Sequence, residues 1–148
     1  MSNKGEICQL LWTISKAEAL LGIINPKMSK LNPRQIKIIL VLMNYNECAV
    51  IDIRKKVYFS KSTMTGLIDS LCEKGLVERK QGEVDRRKVK ITLTEEGRKL
   101  GFLLRTKIDN NYDNILKKLS ESERQIFRNS LIEVNTILEK MEKISDQR

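Results

Sequence analysis

Apolar residues near the start of the chain recur every three or four positions, which is the spacing of one face of an α-helix. The members of this stripe are Ile7, Leu10, Leu11, Ile14, Ala17, Leu20, Leu21 and Ile24. A proline disfavours helical conformation in the residue before it, so the helix is expected to end ahead of Asn25-Pro26. The pattern therefore predicts an amphipathic helix over about 6–24.

A second helix is predicted from Asn32 to about Met43. Asn32 can cap this helix, Pro33 suits its first position, and the Gln35 side chain can reach back to the cap residue. The residues expected to face the core are Ile36, Ile39, Leu40 and Met43.

Two shorter helices are predicted next, from Val50 to about Val57 and from Ser60 to about Lys74, with only Tyr58 and Phe59 between them. The Ser60 hydroxyl can cap the second of these helices, and Gly75 suits the left-handed position that follows a helix end. The second helix has an inward stripe formed by Met64, Leu67, Ile68 and Leu71.

After Gly75 the apolar period changes to two, so residues 76–79 and 88–93 are predicted to be strands. The charged, glycine-containing connection over 80–87 fits a β-hairpin with a projecting tip. Thr94 can cap a long helix to about Lys118, and a capping box over 120–123 opens the last helix. The apolar stripe of that last helix consists of Ile126, Phe127, Leu131, Val134, Leu138, Met141 and Ile144.

This order of elements predicts a mainly α fold with a small β-hairpin wing, in a single domain over 1–148. A winged helix-turn-helix module is expected over about 32–93, with dimerisation helices over about 6–24 and 95–145. The terminal helices carry more apolar surface than a small winged module needs, and pairing with a second copy would cover it. Packing of these helices on each other within one subunit is the alternative.

Positive charge is concentrated in the middle of the chain. The net charge is +9, and the segment from Arg54 to Lys90 holds 11 Lys or Arg against 5 Asp or Glu, a local excess of +6. Such clustering favours a polyanionic partner, for which double-stranded DNA is the candidate that matches the predicted fold.

Two groups of side chains are candidates for contact with DNA. Near the start of the second short helix, hydroxyls and a lysine face outward, and these groups can bond base edges or phosphates. At the hairpin tip, arginines can enter the minor groove, and a nearby carboxylate can orient one of them. The candidate DNA-binding residues are Ser60, Lys61, Ser62, Thr63, Thr65, Asp85, Arg86, Arg87 and Lys88. The alternative for both groups is a solvated charged surface.

Three segments resemble the signature of the MarR family, in the family's order and spacing: residues 67–77, the tripeptide Asp85-Arg86-Arg87, and residues 93–97. A weaker similarity extends over nearly the whole chain. The resemblance implies a homodimeric transcription regulator, a repressor, whose two winged modules each read half of a palindromic operator. It also implies a recognition helix in the major groove, led by Lys61 to Thr65, and a wing in the minor groove with Arg87 as its main contact.

Two kinds of signal are candidates for the control of such a regulator. A small-molecule effector is implied by the resemblance alone. The surroundings of Cys8 are similar to those of the family's peroxide-sensing branch, but no tyrosine occurs over 22–33 and no basic residue is placed to lower the thiol pKa. Cys8 is thus either a redox sensor or an inert core cysteine, whereas Cys48 and Cys72 are predicted to be structural.

Other classes of protein fit the sequence poorly. An enzyme is not expected, because the chain has no glycine-rich phosphate loop, no histidine and no cluster of metal ligands. Neither a cofactor nor a metal site is predicted. The longest apolar run, Ile38 to Met43, is too short to span a bilayer and the N-terminus is polar, so a cytoplasmic protein is expected. A winged-helix module that binds only other proteins is the remaining alternative.

Overall fold

The computed structural model describes residues 5–7, 9–11, 13–14, 30–81 and 89–145. The described residues between 5 and 14 are helical. The elements that follow are, in order, α1 (Pro33–Leu42), β1 (Cys48–Ala49), α2 (Val50–Val57), α3 (Lys61–Glu73), β2 (Val77–Gln81), β3 (Val89–Leu93), α4 (Glu95–Leu116) and α5 (Glu121–Ser145). This architecture confirms the predicted mainly α fold with a small β wing.

Helices α1 and α5 begin where side chains can replace missing backbone hydrogen bonds. At α1, Asn32 Oδ1 accepts from Gln35 N at 2.9 Å, and Gln35 Oε1 accepts from Asn32 N at 3.0 Å, which confirms the predicted capping box. At α5, Ser120 Oγ accepts from Glu123 N at 3.3 Å, and a Glu123 carboxylate oxygen accepts from Ser120 N at 2.7 Å. Because these caps need only neighbours in sequence, the helix starts were predictable.

The β-sheet has three antiparallel strands in the order β1-β3-β2, so the prediction of a two-stranded hairpin was incomplete. Val77 lies opposite Leu93 and Gln81 opposite Val89 in the hairpin, while Cys48 lies opposite Ile91 on the other edge of β3. A two-residue strand shows no alternation of apolar and polar positions, so β1 left no pattern to detect.

The core lies among α1, α2, α3 and the sheet, and α4 contributes Leu104 to it. The large side chains that are fully buried there are Ile36, Ile38, Ile39, Leu42, Ile53, Met64, Ile68, Leu71, Ile91 and Leu104. Gly97 lets the start of α4 approach the sheet closely, because a Cβ at this position would overlap the carbonyl oxygen of Leu76. Packing thus explains why the segment over 93–97 has a glycine at its last position.

Residues 1–111 and residues 112–148 form two compact units. The first contains α1 to α3, the three strands and most of α4, and the second contains the end of α4 and all of α5. A single domain over 1–148 stays a prediction. Within the described ranges, no helix is long and apolar enough to cross a membrane.

Candidate nucleic-acid interface

Helices α2 and α3 form a helix-turn-helix whose turn is very short. Helix α2 ends at Val57, and Tyr58 then adopts the left-handed conformation with φ 55° and ψ 39°. The Tyr58 N–H donates to the carbonyl oxygen of Arg54 at 2.9 Å, which is the last helical i→i−4 hydrogen bond of α2. A non-glycine residue in this conformation costs about 1–2 kcal/mol, which indicates that the packing of both helices fixes the turn.

The inward face of α3 is fixed by the core. Met64, Ile68 and Leu71 are buried, as the apolar stripe predicts, and Leu67 is partly buried. The buried Gln35 side chain donates from Nε2 to Ser70 Oγ at 3.0 Å, so one glutamine both caps α1 and binds α3. Its second role could not be predicted, because Ser70 lies 35 positions away in sequence.

The first turn of α3 presents the predicted polar side chains, of which Ser60, Lys61, Ser62 and Thr65 are exposed. Ser60 Oγ caps the helix by accepting from Thr63 N at 3.2 Å, and it lies 2.8 Å from Thr63 Oγ1. Thr63 is half-buried, and its hydroxyl contacts the Ser60 hydroxyl. Thr65 Oγ1 donates to the Lys61 carbonyl at 3.1 Å, which leaves its oxygen lone pairs facing solvent.

A cleft of about 220 Å³ between α2 and α3 adds Arg54, which is not among the predicted DNA-binding residues, to the candidate site. Arg54 from α2 shares this cleft with Lys61 and Thr65 from α3, above a wall that includes Met64. Arg54 was counted only in the charge of the segment, because its place beside α3 depends on the packing of the two helices. The cleft brings two cations and a hydroxyl to one surface.

Some charged residues near α3 are paired with each other. Asp69 of α3 forms an ion pair with Arg79 of β2. On the sheet, Lys90 pairs with Glu47. These two basic side chains belong to the wing strands and are held by ion pairs within the chain.

The structure describes the two strands of the wing but not its tip. Strands β2 and β3 pair as far as Gln81 opposite Val89. Asp85, Arg86, Arg87 and Lys88 lie outside the described residues, so their contact with DNA stays a prediction. Cys8 also lies outside them, and its role as a redox sensor stays a prediction.

The two other cysteines lie in or against the core. Cys48 is buried on β1, and Cys72 is partly buried against the same core cluster. Burial raises the pKa of the Cys48 thiol, and the nearby Asp52 carboxylate raises it further, against a smaller lowering by Lys56. A thiol that keeps its proton is a poor nucleophile, which agrees with a structural role.

Comparison with known proteins identifies the family. A MarR family model matches residues 31–89. The chain is 35% identical over 109 residues to the uncharacterised HTH-type transcriptional regulator YfiV of Bacillus subtilis, a match that spans 74% of this chain and 68% of that protein.

Two solved structures show the same fold. The structure of Streptococcus pneumoniae FabT in complex with DNA has a TM-score of 0.78 at 22% identity, covering 94% of this chain and 99% of that one. The structure of NadR in complex with 4-hydroxyphenylacetate has a TM-score of 0.69 at 24% identity, covering 86% and 89% of the respective chains. With its helix-turn-helix, three-stranded wing sheet and family match, the chain belongs to the MarR family of DNA-binding transcription regulators.

Proposed function

We propose that this regulator binds a palindromic operator as a homodimer, with α3 as the recognition helix in the major groove and the wing in the minor groove. The observation that carries the proposal is the division of α3 into a buried face and an exposed face, which presents Lys61, Ser62 and Thr65 near the N-terminus of the helix. A helix held rigidly by its inner face can present such donors and acceptors to base edges. The binding of DNA by FabT, a protein of the same fold, supports the proposal.

The homodimer is supported by apolar surface on α5. Six residues of the predicted stripe are between 42% and 66% exposed, namely Ile126, Phe127, Leu131, Leu138, Met141 and Ile144. Leu116, Phe127 and Leu131 also line an open groove of about 820 Å³ within the second unit. Apolar surface left in water costs about 25 cal/mol per Å², so a contiguous stripe of this length favours burial against a partner.

A second copy of the chain is the partner that fits a palindromic operator. Four described apolar residues near the N-terminus are also between 44% and 58% exposed, and a second copy could cover them too; they are Ile7, Leu10, Leu11 and Ile14. A two-fold axis would place two recognition helices about 34 Å apart, one turn of DNA.

A small-molecule signal completes the proposed function. NadR forms a complex with 4-hydroxyphenylacetate, and we propose that this repressor also binds a small molecule, which releases it from its operator. Oxidation of Cys8 is the other signal that the sequence suggests. A thermal shift screen of small aromatic acids, beside peroxide treatment of the chain and of Cys8→Ala, distinguishes the two.

The experiment that tests operator recognition is selection of bound duplexes from a randomised library by the full chain. A two-fold symmetric sequence, with half-sites about one helical turn apart, is the expected product. The stoichiometry of the complex with that duplex should be two chains. A pool without an enriched sequence would contradict the proposal, and one chain per duplex would contradict the dimer.

A further inference from the structure

Arg34 lies in the first turn of α1, but its side chain points to the turn that precedes α3. The guanidinium carbon lies 5.8 Å from the centroid of the Phe59 ring, within the range of a cation–π interaction. Phe59 directly precedes Ser60, the N-cap of α3. The charge of Arg34 is therefore held beside the start of the recognition helix, although the two residues are distant in sequence.

The stability of α1 does not explain a cation at this position. A positive charge in the first turn of a helix is opposed by the helix dipole, and α1 has no acidic residue in that turn to offset it. Among the described residues, the ion pairs within 4.0 Å do not include Arg34. Arg34 is exposed, so its charge is accessible to a partner.

We propose that Arg34 binds a phosphate of the DNA backbone, and that Phe59 holds its guanidinium in place for that contact. The inference rests on the proposed entry of α3 into the major groove. This groove is about 12 Å wide, so a cation beside the N-cap of the inserted helix lies near the phosphates along its edge. The planar fork of a guanidinium matches two phosphate oxygens, which a lysine at this place would not do.

A phosphate contact has a measurable effect that a structural role would not have. Each neutralised phosphate contributes about 0.9 to the slope of log affinity against log salt concentration, whatever the DNA sequence. Loss of Arg34 should therefore change the slope and leave the ratio of operator to random affinity unaltered. A contact that only joined α1 to the turn would change the thermal unfolding temperature instead.

The test is fluorescence anisotropy with two labelled duplexes of about 30 base pairs, one obtained by selection and one of scrambled sequence. Arg34→Gln should make the salt slope shallower by about 0.9 per bound protomer on both duplexes. It should weaken both affinities by a similar factor, roughly tenfold at low salt. The melting temperature should change little, because loss of the cation–π contact is offset by removal of a cation that the helix dipole disfavours. Arg34→Lys should keep the slope, because it keeps the charge.

Two further variants make the result specific. Phe59→Leu should weaken both affinities about two- to fivefold, because the ring no longer holds the guanidinium. Arg105→Gln removes the same charge from α4, where Arg105 is paired with Asp109 at 3.6 Å, and it should leave the slope unchanged. A parental slope in Arg34→Gln, or an equal loss in Arg105→Gln, overturns the inference. If the parent binds both duplexes equally, the proposal of operator recognition is contradicted. The salt slopes of the parent and of Arg34→Gln then still show whether Arg34 binds a phosphate.

Discussion

Thr63 and Thr65 have the same side chain but different surroundings on α3. The Thr63 hydroxyl lies against Ser60 in the helix cap, whereas Thr65 donates to its own helix and keeps its lone pairs toward solvent. At the scale of single residues, two threonines that were both candidates for DNA contact therefore differ in their hydrogen bonds and in their exposure. Thr65 is exposed and Thr63 is half-buried, so Thr65 is the better placed of the two to accept a hydrogen bond from a base.

Thr65→Ala is expected to weaken operator binding by about 1–3 kcal/mol while leaving the affinity for random DNA nearly unchanged. Thr63→Ala should have a smaller effect on the preference for the operator. Competition titrations with operator and scrambled duplex measure both quantities. The matched control is Thr106→Ala, an exposed threonine on α4, which should bind like the parent. Equal losses on the two duplexes for Thr65→Ala would exclude a base contact.

Cys48 makes the stability of the fold depend on pH at the alkaline end. Burial and Asp52 raise the pKa of its thiol in the folded chain, so the folded state holds the proton more tightly than the unfolded state. The resulting stabilisation is fully present below the ordinary thiol pKa of about 8.5 and is lost as the pH rises through the folded-state value. Urea unfolding of the parent and of Cys48→Ala across this range should give a steeper decline for the parent, and parallel curves would contradict the assignment.

At the scale of elements, the fit between the start of α4 and the sheet is the tightest contact of a glycine in the described structure. A Cβ at Gly97 would overlap a backbone carbonyl oxygen, which has less freedom to move than the end of a side chain. Thr94 strengthens the same junction, since its Oγ1 donates to the Gly75 carbonyl at 2.7 Å and accepts from Gly97 N at 3.0 Å. One short segment thus joins α3, β3 and α4.

Gly97→Ala is expected to destabilise the chain by about 1–3 kcal/mol, because the added methyl group forces α4 away from the sheet. Gly66→Ala is the matched control. Gly66 is in the interior of α3 and has no atom within 4 Å of an added Cβ, so the higher helix propensity of alanine should stabilise that variant by about 0.5–1 kcal/mol. Denaturant unfolding measures both changes, and a destabilised Gly66→Ala variant would show that the comparison reports something other than packing.

At the scale of the whole molecule, the described structure of one chain leaves the apolar stripe of α5 in water. The proposed dimer would cover this stripe and would also set the distance between two recognition helices. Dimer formation and operator binding should therefore fail together when the stripe is changed. Random DNA, which requires no fixed spacing, should be affected less.

Leu138→Glu is expected to produce a monomer, because a buried and unpaired carboxylate in an apolar interface is strongly unfavourable. Gln125→Glu adds the same charge near the start of α5 and should remain dimeric. Sedimentation equilibrium gives the oligomeric state, and the selected duplex gives the operator affinity. A dimeric Leu138→Glu variant with parental operator affinity would refute the proposed interface.

The sequence by itself determined the features of this fold that depend on neighbouring residues. Capping by Asn32 and Ser120 needs partners only three positions away, so the starts of α1 and α5 were predicted correctly. The inward stripe of α3 and the two arms of the wing followed from their periods, because burial of one face imposes a period near 3.6 on helices and 2 on strands.

The tertiary structure alone decided the contacts between residues that are distant in sequence. The pairing of β1 with β3, the bond from Gln35 to Ser70 and the position of Arg34 over Phe59 leave no local pattern. Each depends on how complete elements pack, and packing is set by shape and burial over the whole core. The family signature predicted that α3 and the wing would read DNA, while the fold decided which of their side chains are exposed and which are paired.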